Sequence, residues 1–439
     1  MYLILLIVSL AILLVIDYVV LFKNELSAPA FLFCAGLFLC SINLSLFVKE
    51  WNVYIHQGTY WLVYGGVLSF TISCWLVHAK HHFKPILASS IPKRQVMSPI
   101  IKISRLKFLF LLSLFLYVVK SYFLMSYYGG NLAAALYLHT EAMKFGDDAM
   151  KYPFGLSFLV SLPDFYGTFF AYLSAVYCFK RNYKKQRFWI WTNFIICLLG
   201  SLLSSGRTNM LWLIVVFGIS YFIAMKRNNN SINVRKIVIV LLSMYVFAIS
   251  FQQIGYLIGR KETEGSSMAI FVQYCGAELQ NLDDFIYSDH INVKTTHFGE
   301  VTFENFWSYF NVQSRRDEVL TFNSRRGFGL GNVKTTFHSY YIDFGFWGTI
   351  VMCFIVGLFM QGFYVRVKNG SNWQTGEMSV PLYVFLTMIP ACFMSFFSEY
   401  FVNKGISLLN YRVWFSYILV CYIIYGTPFL FNKRSKWIK

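Results

Sequence analysis

The chain has 439 residues, 57% of them hydrophobic and only 13% charged, too little charge to cover a soluble body of this length. Many runs of about twenty apolar residues instead mark a polytopic membrane protein. The net charge of +18 calls for no nucleic acid, because such a protein collects Lys and Arg in its cytoplasmic loops, and its nine cysteines show no CxxC or Cys/His ligand spacing, so no disulfide, metal or cofactor is expected.

The opening run, MYLILLIVSLAILLVIDYVV, lacks a basic n-region and a small-residue cleavage site and reads as a retained first span. The apolar runs predict about eleven transmembrane helices, near 1–22, 28–48, 59–78, 107–128, 155–179, 188–205, 208–225, 237–258, 338–363, 379–398 and 406–426. The expected fold is therefore an all-α polytopic bundle. Its connectors separate by charge: the ones ending at 28, 107, 188, 237 and 379, together with the C-terminal tail, hold about 23 basic and 2 acidic residues, against about 13 and 15 on the other side. The basic side is cytoplasmic, which puts the N-terminus outside and the C-terminus inside. The organisation that follows is helices 1–8 with short loops over 1–258, one large external loop over 259–337, and helices 9–11 with a basic tail over 338–439. A short amphipathic helix at the membrane surface is expected within 129–154. No internal repeat and no inverted pair of broken helices of the transporter kind is present.

Several residues on the outer side can carry chemistry. In SSGRTNMLW, Gly206 suits a helix C-cap and Thr208 the N-cap of the next helix, so Arg207 stands at a helix N-terminus, where the dipole and unpaired N–H groups favour an anion. The alternative is an arginine touching lipid phosphates at the interface. The external loop carries Arg260, Arg315, Arg316, Arg325 and Arg326, and the planar arginine fork matches phosphate oxygens. Pairing with the loop's own acids, Glu262, Glu264, Asp317 and Glu318, is the competing explanation. In TTFHSYYIDFGFWG, Thr335 or Thr336 can cap helix 9 and His338 falls in its first turn, where a neutral imidazole is favoured; Asp343, five residues on, points elsewhere. Three charges lie in the outer half of predicted spans: Lys120 and Asp164 at matching depths, expected to pair, and Arg412, about six residues below the outer end of helix 11. GFGLG at 327–331 follows no predicted strand and is not read as a nucleotide loop, while the acid pairs Asp147–Asp148 and Asp283–Asp284 are either cation sites or simply solvated.

A reaction on the outer face has no access to cytoplasmic nucleotides. A group donor there must arrive activated and attached to lipid, and a sugar on a polyprenyl diphosphate fits. Its leaving group needs cationic charge, and the acceptor hydroxyl needs a base. LLSSGRTNMLWLIVVF, followed after the long loop by TTFHSYYIDFGFWGTIVMCFIVGLFMQG, resembles the Wzy-type oligosaccharide repeat-unit polymerases, including O-antigen polymerases. The resemblance implies a GT-C-like membrane glycosyltransferase of the bacterial inner (plasma) membrane. It implies transfer of a growing glycan from polyprenyl diphosphate to a lipid-linked repeat unit in O-antigen or capsule biosynthesis. Its partners are then those lipid-linked oligosaccharides, the surrounding lipids and a chain-length regulator protein. The family's external arginines correspond by motif to Arg207 and more loosely to Arg325 or Arg326. His338 resembles the external base of the related O-antigen ligases. On this reading Arg207, Arg260, Arg325, Arg326 and Arg412 bind diphosphate and His338 takes the proton, with Glu278, Asp283, Asp284 and Glu399 as substitutes. An O-antigen ligase and a lipid-linked oligosaccharide flippase are the alternatives.

Overall fold

The apolar runs do fold as helices. The computed structural model describes residues 1–83, 101–145, 150–153, 155–180, 182–204, 207–228, 253, 255, 267–287, 295–310, 312 and 322–426, and most of them are helical. In chain order come α1 (Tyr2–Val15, running on into a π turn at Ile16–Leu21), α2 (Pro29–Ser45), α3 (Gln57–Phe83), α4 (Ile103–Tyr128), α5 (Leu132–Phe145), α6 (Leu156–Tyr177), α7 (Lys184–Ser201) and α8 (Arg207–Arg227). A helix, α5, does form within 129–154. The long loop then contributes helices Ser267–Cys275, Ala277–Tyr287 and Glu304–Ser308 and a hairpin of β1 (Asn323–Arg325) and β2 (Phe328–Gly331). Last come the long helix Thr336–Lys368 and the shorter helices up to Tyr411–Tyr425.

Six of the described helices are long and apolar enough to cross a membrane: Tyr2–Leu21, Gln57–Lys80, Ile103–Tyr128, Leu156–Tyr177, Thr208–Arg227 and Thr336–Lys368. The remaining predicted spans depart from that standard for physical reasons. Helix α2 has 17 residues, about 26 Å at 1.5 Å each, slightly short of a hydrocarbon core about 30 Å thick. Helix α7 starts on Lys184, Lys185, Gln186 and Arg187, which shortens its apolar stretch. The 379–398 run is interrupted before Pro390, which lacks an N–H to continue the ladder. The 406–426 run is broken between Ser407 and Tyr411, and 237–258 lies outside the described residues apart from 253 and 255.

The chain divides into two compact units interleaved along the sequence. The first comprises Met1–Pro92, Phe271–Lys368 and Thr387–Leu409. In it α1, α3 and Thr336–Lys368 run in the same direction, since Tyr2 meets Tyr60 and Phe22 meets His78, while Ser69 and Cys74 bond to the carbonyls of Ile350 and Gly357. Helix α2 runs the other way, with Tyr18 against Phe31 and the Cys34 thiol on the Leu10 carbonyl. Lipid chains are as apolar as side chains, so close packing rather than water exclusion joins such helices. Small residues provide it here: Gly66 lies under Phe337 and Cys353, and Gly357 sits against Phe70 and Ser73. The long helix is kinked at Gly345, whose φ of 66° and ψ of −166° are open to glycine alone.

The second unit comprises Lys93–Ile270, Asn369–Leu386 and Asn410–Lys439. Here α4 and α7 run together, because Leu106 receives the Asn193 amide and Tyr117 lies across Gly200. Helix α6 opposes them, with Ser113 bonded to Tyr166 and Lys120 facing Asp164. Tyr411–Tyr425 runs parallel to α6, bringing Phe158 to Phe415 and Phe169 to Tyr417.

Candidate functional site

The helix Ala277–Tyr287 is the spine of the described part of the long loop. Gln280, Asp283, Asp284 and Tyr287 fall at i, i+3, i+4 and i+7, one polar stripe of an amphipathic helix. The extended segment before α3 lies along that stripe and gives it every second backbone N–H. Tyr54 N–H donates to Gln280 Oε1 at 3.0 Å, His56 N–H to Asp283 Oδ1 at 2.8 Å, and Gly58 N–H to the Tyr287 hydroxyl at 3.0 Å. The last two donors belong to the start of α3, which has no partners of its own for them. A carboxylate there also meets the positive end of the helix dipole. The neighbouring face also meets the hairpin and the segment after it: the buried Asn281 amide donates to the carbonyls of Leu330 and Val333, both at 3.0 Å.

His56 is held as a dyad. Its Nδ1 lies 2.8 Å from Asp283 Oδ2; the acid is fully buried and the histidine side chain is 38% exposed. The ring is stacked on Tyr287 with centroids 3.9 Å apart and meets Tyr54 edge-on at 4.6 Å. When Nδ1–H donates to Asp283, the lone pair is on Nε2. Both tyrosines are themselves exposed.

Asp284 binds Arg325 through both carboxylate oxygens, and Arg325 Nη1 donates to the Asn52 carbonyl at 2.6 Å. The Arg325 fork is therefore occupied by a protein carboxylate. Arg326 is exposed at the hairpin turn with a φ of 50°, and its Nη1 donates to the Lys49 carbonyl at 2.9 Å, leaving the rest of the guanidinium toward solvent. GFGLG supplies the turn and return strand of this hairpin. Asp283 and Asp284 are committed to different partners and do not form a cation site together.

The other expected site residues are placed as follows. His338 lies in the first turn of its helix, 4% exposed, with its ring edge-on to Phe285 at 4.5 Å. Asp343 accepts the N–H groups of Val301 and Thr302. Glu399 accepts the Tyr340 hydroxyl and the N–H of Val402 and Asn403, so it caps the helix Phe401–Ser407. Glu278 is buried, and burial pushes its carboxyl well above the usual carboxylate range against the pull of the Glu278 and Gly276 amides. Arg412 departs from expectation: the break before Tyr411 puts it in the first turn of the last helix, exposed, with Asn410 capping its N–H at 2.9 Å, and not six residues deep. The Lys120 ammonium is 3.7 Å from Asp164. Arg207 opens α8, and its side chain, with Gly206, Asp147, Asp148, Arg260, Arg315, Arg316, Glu262, Glu264, Asp317 and Glu318, lies outside what is described.

Sequence reasoning passed over His56, Lys334 and Asp17. The signal for His56 was a histidine directly ahead of an apolar run, in YIHQGTYW. Lys334, beside the hairpin, is buried with its ammonium 5.7 Å from the Phe285 ring, and burial lowers its pKa to about 8. Asp17 sits fully buried in the π turn ending α1, and neither carboxyl oxygen has a hydrogen-bond partner among the described residues.

Compared with known protein families, curated proteins and solved structures, the chain matches none.

Proposed function

We propose that the protein is a membrane glycosyltransferase that polymerises oligosaccharide repeat units, moving the growing glycan from polyprenyl diphosphate onto a lipid-linked repeat unit at the outer face of the bacterial inner membrane. The eleven-span, GT-C-like arrangement and the external N-terminus belong to this reading. The observation that carries it is the folded loop of the first unit, which presents the Arg326 guanidinium and exposed Tyr54, Tyr287 and Phe328 rings at the helix end that the charge pattern places outside. Guanidinium groups suit a departing diphosphate, and aromatic faces suit sugar rings. The parallel course of α1, α3 and Thr336–Lys368 supports it, because all three are expected to start outside.

A flippase is the second reading, and Asp17 favours it. The charges singled out from the sequence all lie in outer halves, but a buried carboxyl near the inner end of α1 is what a path through both halves needs. Purified protein supplied with a lipid-diphosphate-linked repeat unit separates the two. A ladder of products is expected. Movement of the substrate across a vesicle membrane with no ladder makes the chain a transporter. Arg207→Lys keeps the charge and loses the fork, and is expected to reduce polymer yield at least tenfold; unchanged yield removes Arg207 from the diphosphate clamp.

A further inference from the structure

We propose that His56 and Asp283 are the proton-accepting pair of this transferase, with His56 Nε2 taking the acceptor hydroxyl proton and Asp283 positioning the ring. The assignment rests on the polymerase reading above. Three features of the first unit support it. Asp283, wholly buried, bonds both the backbone N–H and the Nδ1 of His56, so ring orientation and tautomer are fixed together. Stacking on Tyr287 and the edge contact with Tyr54 stop the ring from rotating. Those tyrosines are themselves exposed and flank the imidazole, an aromatic surface on which an acceptor sugar can lie. His338, by contrast, is buried with its ring edge-on to Phe285.

The step balances without further reactants. The acceptor oxygen forms a bond to the anomeric carbon of the donor glycan. The bond from that carbon to the diphosphate oxygen breaks, and its electron pair leaves with the diphosphate. The acceptor proton passes to His56 Nε2 and from there to water. Nothing is oxidised or reduced. Asp283 touches no substrate and acts only through His56, as the buried acid of a Ser-His-Asp triad acts on its histidine.

The test is turnover of a lipid-diphosphate-linked repeat unit by wild type, His56→Gln, His56→Gly, Asp283→Asn and His338→Gln, each checked for monodispersity in detergent. Loss of a general base lowers kcat by about 100-fold or more. His56→Gln is expected to show that loss with KM within about threefold. His56→Gly is expected to regain at least tenfold with added imidazole, which a merely structural role would not allow. Asp283→Asn is expected to lower kcat without imidazole rescue, and His338→Gln to stay within about fivefold of wild type. A ladder from wild type with an undiminished ladder from His56→Gln overturns the pair's role and leaves the polymerase reading standing. No ladder from wild type overturns the reading itself. Should the His56 variants misfold, carbethoxylation of wild-type protein replaces them: modification mapped to His56, blocked by substrate and matched by loss of turnover, supports the role. Turnover that survives modification of His56 overturns it.

Discussion

His56 and Asp283 in the first unit, and Lys120 and Asp164 in the second, are both a base and an acid brought together from distant parts of the chain, but they are built inside out. At His56 the base is 38% exposed and the acid wholly buried, with a 2.8 Å hydrogen bond between them. At Lys120 the base is 7% exposed and the acid 32%, and the charged atoms are 3.7 Å apart, beyond normal hydrogen-bond distance. Which partner is hidden decides what the pair can do. A hidden acid holds an open imidazole in one orientation and leaves its far nitrogen free to exchange a proton. A hidden ammonium exchanges nothing with a substrate and serves to keep α4 and α6 in register.

The sharpest way to break this contrast is at Lys120. Lys120→Met leaves Asp164 without its cation and is expected to cost about 3 kcal/mol, the low end for breaking a buried pair because Asp164 is partly open. Adding Asp164→Leu removes the stranded carboxyl and is expected to recover most of that loss, with turnover near wild type. Thermal unfolding in detergent, read beside a turnover assay, checks both. A double variant that is stable but inactive would make Lys120 and Asp164 part of the chemistry and dissolve the comparison.

Lys334 extends the contrast, since it is a hidden cation on the same unit as the exposed histidine. Burial lowers its pKa from 10.5 to about 8 in the folded chain. Between those two values the unfolded chain binds the proton and the folded chain does not, so stability rises with pH across that window. Below about pH 8 the folded state carries the whole penalty of burying the ammonium. Lys334→Met is therefore expected to stabilise the protein by on the order of 2 kcal/mol at pH 7, and the gain is expected to shrink as pH rises from 8 toward 10. Melting temperatures of both forms across that range check it. A gain that grows with pH would mean that Lys334 is held as a charged partner.

The membrane character is legible in the sequence because it is local: apolar runs are read a few residues at a time. The sequence placed Lys120 and Asp164 together from matching depths alone. It could not pair His56 with Asp283, which are 227 residues apart and joined by an extended segment laid on a helix. Half the information was present, since Gln280, Asp283, Asp284 and Tyr287 form a visible polar stripe, but a stripe does not name what lies on it. For the loop arginines the sequence leaves phosphate and pairing with the loop's own acids side by side; Arg325 takes the second course, but with Asp284 rather than Glu262, Glu264, Asp317 or Glu318, because an arginine's partner is a tertiary fact. Arg412 was read as deep because nothing in 406–426 except Asn410 marks the helix break.

The smallest expected effect probes whether the two neighbouring carboxylates act separately. Gly327 has a φ of 81° and follows Arg326 at 50°, giving the two-residue hairpin turn that matches strand twist. A Cβ at Gly327 meets nothing within 4 Å, so the cost of Gly327→Ala is backbone strain alone, about 1 kcal/mol. That loss is expected to show as faster hydrogen exchange at 323–331, with a higher KM for the diphosphate donor as Arg326 loses its aim. Asp284 couples the hairpin to the helix that carries Asp283, but the two side chains bind different partners. Exchange at His56 and Gly58 should therefore stay slow and kcat unchanged. Faster exchange there would show that Arg325 and Asp284 help hold the dyad, making the hairpin part of the base's support rather than a separate arm.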